Sequence, residues 1–413
     1  MSRQNDTMVP LTAPVLHAPG ASHEQTRVLF ILGSMAGGGA ERIVTHLVKH
    51  LNRDEFVARV GLLWQHGDYL DQLADNELIV TRLGHGWIPY RDQPPWWQLL
   101  PALALVPLQQ RDLVRRFRPH IVVTATKSMN VAGRFSLALA GRSTVRWVAR
   151  EGNNTGAMID NESATGLLRA LQTFAVRTAY RHADRVVAIS DGVGHALSRR
   201  FGLDPARVST IHNSVDLDAV KVRAQEVPPN LPVVPFLVGA GRLVAQKGFD
   251  VLIRAFAAAA AMRPLALIIL GDGPERTALI ELTRAIGVDQ RVLFPGFVEN
   301  PWSYFARSAA FVCSSRWEGF GNVIIEAMAC GVPVVATDCD FGPREVIRQT
   351  QSGLLVPVED VDSLSKAITS VLDNRDLARQ LAEGAQRRAQ DFDVANMTHA
   401  YERLFRELMR GTP

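Results

Sequence analysis

The feature that most constrains this 413-residue chain is an alternation that begins at Arg27, in which short apolar runs rich in β-branched residues take turns with helical stretches. Such a rhythm places consecutive strands parallel, because each helix carries the chain back across the sheet, and it covers both faces of the sheet. In the first half, strands are predicted at 28–32, 57–63, 121–124, 145–149, 186–189 and 208–211, with helices at 41–51 and 164–181 among them. The segment 227–235, VPPNLPVVP, then breaks the pattern, since its prolines suit neither a helix interior nor a central strand. A second series follows, with strands at 236–240, 265–270, 292–294, 310–313 and 334–336. Its helices open near Gly248, Glu275, Trp302 and Asn322, and further helices fill 362–409.

One hydrophobic core rarely organises a chain of this length. The reading is therefore α/β with two Rossmann-like domains facing a cleft: residues 25–226 and residues 227–391. Residues 392–413 are expected to form a terminal helix, and residues 1–24 a flexible tail with no secretory signal pattern. No apolar run reaches the ~20 residues of a membrane-spanning helix, so a cytoplasmic protein is expected. The cysteines Cys313, Cys330 and Cys339 are odd in number and lie in apolar contexts, which suits reduced thiols better than bridges or zinc.

Charge is divided unevenly. Residues 1–215 hold 24 Lys+Arg against 17 Asp+Glu (+7), and the remainder holds 21 against 24 (−3). The basic first half is expected to approach anionic surfaces such as phospholipid headgroups or a lipid pyrophosphate; no aromatic-rich signature points to nucleic acid. The indoles of Trp87, Trp96 and Trp97 precede the apolar stretch 99–108 and the basic run Arg111, Arg115, Arg116 and Arg118. That pattern fits either a segment lying in a membrane interface or a domain helix with a solvated basic face.

Chemistry concentrates at predicted strand ends. Gly37, Gly38 and Gly39 separate the first strand from a helix whose N-terminal amides can meet an oxyanion, unless they build only a tight turn. After the 236–240 strand, GRLVAQKG supplies Arg242 and Lys247, a forked and a point cation suited to a departing diphosphate. Gly271 and Asp272 begin a sharp turn after the 265–270 strand. The densest segment, 314–333, reads SSRWEGFGNVIIEAMACGVP. Glu318 lies in its glycine-flanked loop, Glu326 sits one turn into the following helix, and the amides of Gly319, Phe320, Gly321, Asn322 and Val323 lie near the helix start. Two carboxylates so placed can accept hydrogen bonds from hydroxyls at different points along one ligand.

The GGGAER, GRLVAQKG, GDGPER, EGFGNVIIEAMACGVPVVATD and GLLVP segments together resemble retaining glycosyltransferases of the GT4 family, which have the GT-B fold. The resemblance spans most of the chain and is densest in its second half. It implies a nucleoside-diphosphate sugar donor, UDP-sugar before GDP-mannose, and transfer with retention to a glycan or lipid-linked acceptor in polysaccharide or lipopolysaccharide assembly. No cofactor or metal is implied, so Asp338-Cys339-Asp340 is read as a loop. Residues 25–226 become the acceptor domain and residues 227–391 the donor domain, and the resemblance implies that the terminal helix at 392–413 crosses back to the first domain. Arg242 and Lys247 are assigned to the diphosphate, Glu318 to the donor sugar and Glu326 to the ribose.

On the acceptor side, the first-domain strand ends offer Lys127, Asn130, Arg150 and Glu151. Related enzymes carry a histidine near the position of Arg150, and here it is absent. Asn213-Ser214-Val215-Asp216 is expected to shape the hinge. Two competing readings are a sugar-nucleotide epimerase of the same architecture and a non-catalytic sugar-nucleotide-binding subunit.

Overall fold

The computed structural model describes residues 25–36, 38–82, 96–141, 145–162 and 165–411. The expected tail 1–24, Gly37 and Trp87 lie outside the described residues, as do the side chains of Trp96 and Trp97. The first unit is a parallel sheet of β1 (Thr26–Leu32), β2 (Phe56–Leu62), β3 (Leu78–Val80), β4 (Ile121–Thr124), β5 (Arg146–Glu151), β6 (Arg185–Ala188) and β7 (Val208–Thr210), in the order β3-β2-β1-β4-β5-β6-β7. The second unit comprises β8 (Phe236–Ala240), β9 (Ala266–Leu270), β10 (Val292–Gly296), β11 (Ala310–Cys313), β12 (Val334–Thr337) and β13 (Leu354–Val356), ordered β10-β9-β8-β11-β12-β13 and also parallel.

The predicted strands are all present, with ends shifted by a residue or two. Sequence reading missed β3 and β13, each three residues long and on the outer edge of its sheet. Edge position explains the miss, because a half-covered strand lacks the continuous apolar run that marks β1, where Val28 to Leu32 are all buried.

In each sheet the strand order reverses beside its first strand, between β1 and β4 and between β8 and β11. Loops leaving these neighbours diverge to opposite faces of the sheet and open a crevice at its carboxyl edge. The two crevices face each other.

The units are also joined at the back. The Val394–Arg410 helix packs Met397, Tyr401, Leu404, Phe405 and Leu408 into the core that holds Val28 and Phe30 of the first sheet. Phe405 meets the rings of Phe30 and Phe56 at 6.4 and 5.9 Å. The outgoing and returning chains touch where they pass: Val215 N–H donates to the Phe392 carbonyl (2.9 Å), and Val394 N–H donates to the Val215 carbonyl (3.1 Å).

Candidate active site

The facing crevices form one cavity of about 750 Å³. From the second unit its wall includes Gly241, Arg242 and Lys247 after β8, Gly271 and Asp272 after β9, and Phe297 and Val298 after β10. Glu318 to Val323 and Glu326 complete that wall beyond β11. From the first unit come Gly39, Ala40 and Arg42 on the Gly39–His50 helix, then Arg150, Gly152, Asn153 and Asn213. The cations and glutamates singled out in the sequence thus share one space, although Arg242 and Glu326 are 84 positions apart.

Backbone geometry explains the glycines. Gly271 adopts φ +124°, and a Cβ there would fall on the Gly241 carbonyl, so the loops after β8 and β9 lie against each other only without side chains. Gly321, at φ +90°, turns the chain into the Asn322–Ala329 helix and leaves that helix's first amides facing the cavity.

On the second-unit wall Lys247, Glu318 and Glu326 are already paired. Lys247 Nζ donates to Glu318 Oε1 at 2.5 Å, and Ser315 Oγ donates to the same oxygen at 2.7 Å. Burial lowers the Lys247 pKa, but Glu318 together with the nearby Cys313 and Cys339 raises it by more, so the ammonium stays charged. Both bonds fall on one oxygen of Glu318, which leaves the other available to a hydroxyl donor. Arg242 is exposed at the rim and its side chain makes no hydrogen bond or ion pair among the described residues, so its guanidinium can meet a ligand.

Glu326 is engaged at both oxygens. Trp302 Nε1 donates to Oε2 at 3.1 Å, and Arg42 of the first unit reaches across the cleft to Oε1 at 2.6 Å. Arg42 was not singled out in the sequence. Its signal was the GGGAER segment itself, because the residue three positions after Gly39 returns to the same helix face one turn further on. Gly38 caps that helix, and the Glu41 carboxylate folds over it onto the terminal amides.

Other contacts cross the cleft. Asn213 Nδ2 donates to Asn322 Oδ1 (2.8 Å), Ser190 Oγ donates to the Gly319 carbonyl (2.8 Å), and the amides of Asp191 and Gly192 donate to Glu345 (2.8 and 2.7 Å). His212 stacks on Phe320 with ring centroids 5.3 Å apart. Asn213 and Ser214, expected only to shape a hinge, therefore lie at the cleft: Asn213 lines it, and Ser214 contacts His46 and Met397 behind it.

The expected acceptor residues separate. Arg150 lines the cavity, but Asn130 and Glu151 are buried beneath its floor and do not reach it, which corrects their assignment. Asn130 accepts from Thr124 (2.6 Å) and donates to the Arg150 carbonyl (2.9 Å) and the Tyr180 hydroxyl (3.2 Å). Glu151 accepts from Tyr180 and from the Asn153 amide (3.1 Å), and its burial pushes the carboxyl pKa up. These two shape the β5 end from below. Lys127 is half-buried at the start of the Lys127–Ala140 helix and does not line the cavity. Asp338 of the D-x-D segment is gripped by Arg344 (2.9 and 2.6 Å), which engages both of its carboxylate oxygens.

Comparison with known proteins agrees with this architecture. Residues 37–219 match the model described as Glycosyltransferase Family 4, and residues 225–388 match Glycosyl transferases group 1. The N-acetylgalactosamine-N,N'-diacetylbacillosaminyl-diphospho-undecaprenol 4-alpha-N-acetylgalactosaminyltransferase of Campylobacter jejuni is 30% identical over 60% of this chain and 68% of its own. The lipopolysaccharide core biosynthesis glycosyltransferase LpsE of Rhizobium meliloti is 28% identical over 89% of this chain and 95% of its own. Among solved structures, Anabaena Alr3699/HepE in complex with UDP and glucose superposes with a TM-score of 0.73 at 24% identity, covering 92% of this chain and 99% of that one. Matches to both halves, a fold shared end to end and the two opposed crevices lead to one assignment: the chain belongs to the GT4-type glycosyltransferases and is a transferase with the GT-B fold.

Proposed function

We propose that this enzyme moves a sugar from a nucleoside-diphosphate sugar, with UDP the preferred nucleotide, to a hydroxyl of a glycan or lipid-linked acceptor in cell-surface polysaccharide or lipopolysaccharide synthesis. Configuration at the anomeric carbon is retained. The observation that carries this reading is the convergence of Arg242, Lys247, Glu318 and Glu326 on one cavity wall. Arg242 and Lys247 meet the diphosphate, and the open oxygen of Glu318 accepts a hydroxyl of the transferred sugar. Glu326 takes the ribose diol, and Phe297 offers the base an aromatic face at the mouth. Relatives named for lipopolysaccharide core synthesis and for a diphospho-undecaprenol acceptor support the acceptor class, and a structural neighbour holding UDP supports the nucleotide.

The acceptor hydroxyl attacks from the face on which the diphosphate leaves. The new glycosidic bond forms as the anomeric C–O bond to phosphate breaks, and the hydroxyl proton passes to the leaving phosphate oxygen. Arg242, Lys247 and the amides at the Asn322–Ala329 helix start stabilise the charge that builds there, so no separate protein base is needed. Glu318 acting as a covalent nucleophile is the weaker alternative, since Lys247 and Ser315 both hold it as an oriented carboxylate.

Contact with the anionic cytoplasmic face of a membrane belongs to the same proposal. No described helix is long and apolar enough to cross a bilayer. On the Gly166–His182 helix, however, Leu167, Leu171 and Phe174 form an exposed apolar stripe, and the same helix carries Arg169, Arg177 and Arg181. A panel of nucleotide sugars screened by thermal shift, followed by product analysis with and without lipid-linked acceptors, tests the reading. Conversion of the nucleotide sugar without an acceptor, or product of inverted configuration, would overturn it.

A further inference from the structure

Arg150 is 1% exposed, yet it lines the cleft. Of its three guanidinium nitrogens, Nη2 donates to Asn213 Oδ1 at 2.5 Å, whereas Nε and Nη1 have no hydrogen-bond partner. Beside it lies the buried Tyr401 hydroxyl, carried by the crossing helix: burial raises its pKa and the adjacent Arg150 guanidinium counters that rise, although no well-formed hydrogen bond joins the two. The nearby carboxylates give it no hydrogen bond: Glu41 feels the Arg150 charge but folds onto the amides of its own helix start, and Glu151 is held by Tyr180 and the Asn153 amide. A buried guanidinium with two nitrogens left without hydrogen bonds is costly, because buried polar groups ordinarily find partners. Two unfilled guanidinium nitrogens, shielded from solvent on a residue that borders the cavity, therefore mark a place where a ligand that reaches them supplies the missing partner.

The nucleotide diphosphate is not the natural source of that charge. In the nucleotide-sugar reading, on which this inference rests, Arg242 and Lys247 receive the diphosphate on the opposite wall, at the end of β8. Arg150 belongs to the end of β5, where Gly152 and Asn153 abut the Glu318–Gly319 loop. A Cβ on Gly319 would lie 2.8 Å from the Gly152 carbonyl. The guanidinium thus borders the region between the Glu318 loop and the first unit, where transferred sugar and acceptor meet.

We propose that Arg150 selects substrates carrying a second anionic group outside the nucleotide diphosphate. The group is a carboxylate or phosphate on the transferred sugar or the acceptor, bound by the Arg150 guanidinium with the Tyr401 hydroxyl alongside. A neutral histidine or an exposed arginine would not impose this demand, because only a desolvated permanent cation discriminates strongly against an uncharged ligand.

Calorimetric titration of the full chain tests the inference with paired probes. UDP-glucuronate against UDP-glucose asks whether the anion is on the sugar. A short-chain prenyl diphosphate against the matching prenol, both with UDP saturating, asks whether it is on the acceptor. The wild-type protein should bind one anionic probe at least tenfold more tightly than its neutral partner. Arg150→Gln should abolish that preference with UDP affinity unchanged, and Arg150→Lys should restore part of it, with melting temperature and UDP affinity reporting that both variants are folded. The pair that responds identifies the source. No preference in the wild type, an undiminished preference in Arg150→Gln, or an equal loss of UDP affinity in that variant would each overturn the proposal. Arg242→Ala serves as the control for the underlying reading. If the wild type bound no UDP, the nucleotide-sugar assignment would fail and this inference with it.

Discussion

The two walls of the cleft differ in how their charges are held. On the second-unit wall Lys247 and Ser315 hold Glu318, Trp302 and Arg42 fix Glu326, and Arg242, unpaired among the described residues, stands exposed in solvent. On the first-unit wall Arg150 is buried with two nitrogens unmet, above the Asn130, Glu151 and Tyr180 network that keeps β5 in place. A wall whose groups are ordered before the ligand arrives binds with little rearrangement. A wall with unmet donors discriminates instead, because its stability depends on what enters. The difference suits a common donor on one side and a particular second substrate on the other.

The contrast is broken most directly at Arg242. Replacing it by Ala should slow turnover by roughly 10²–10³-fold, about 2.7–4 kcal/mol of barrier, as for loss of one preorganised oxyanion donor. Melting temperature should stay unchanged, since the exposed side chain makes no described ion pair. Unaltered turnover would remove Arg242 from the donor wall.

Glu326→Gln probes the Arg42 ion pair, which joins the walls through the carboxylate proposed to hold the donor. The Arg42 side chain is 22% exposed and that of Glu326 6%, so the pair is only partly desolvated. Its loss should cost about 1–3 kcal/mol of stability, below the range for a fully buried pair, and should raise KM for the donor more than it lowers kcat. A variant with unchanged KM would place the ribose elsewhere.

A smaller effect concerns acid. Burial, with Arg42 nearby, lowers the His46 pKa from 6.5 to about 3. The folded protein therefore keeps this imidazole neutral at pH values where the unfolded chain protonates it. The neutral site contributes fully above pH 6.5, and stability falls as pH drops from 6.5 towards 3. At pH 5 the loss is about 2 kcal/mol at 1.36 kcal/mol per unit. His46→Gln should flatten the dependence of melting temperature on pH between 7 and 5, and an unaltered slope would assign the acid sensitivity to other groups.

The donor wall was readable in the sequence because its chemistry is local. Gly241, Gly271 and Gly321 sit where loops must take positive φ, and the charged residues stand within a few positions of them. The first-unit wall was less readable because its pairings join distant segments. Nothing in the sequence around Arg42 shows that it meets Glu326, and nothing around Arg150 shows that Asn213 takes one of its nitrogens. Asn130 and Glu151 followed strand ends as Arg150 did, but the network centred on Tyr180, from a helix read only as scaffold, draws them under the floor. Central strands were legible because burial on both faces leaves an unbroken apolar run. The short edges β3 and β13 lacked one.

The backbone clasp between Val215 and the segment around Phe392 and Val394 has a mechanical consequence. The polypeptide crosses between the units twice, and both crossings lie side by side, like two pins on one axle. Swivelling about that line changes the aperture of the mouth, while the tethers resist sliding or shearing of one lobe past the other. Each opening stroke therefore returns Arg42 to Glu326 and Asn213 to Asn322 in the same alignment, so the halves of the site reassemble without a search.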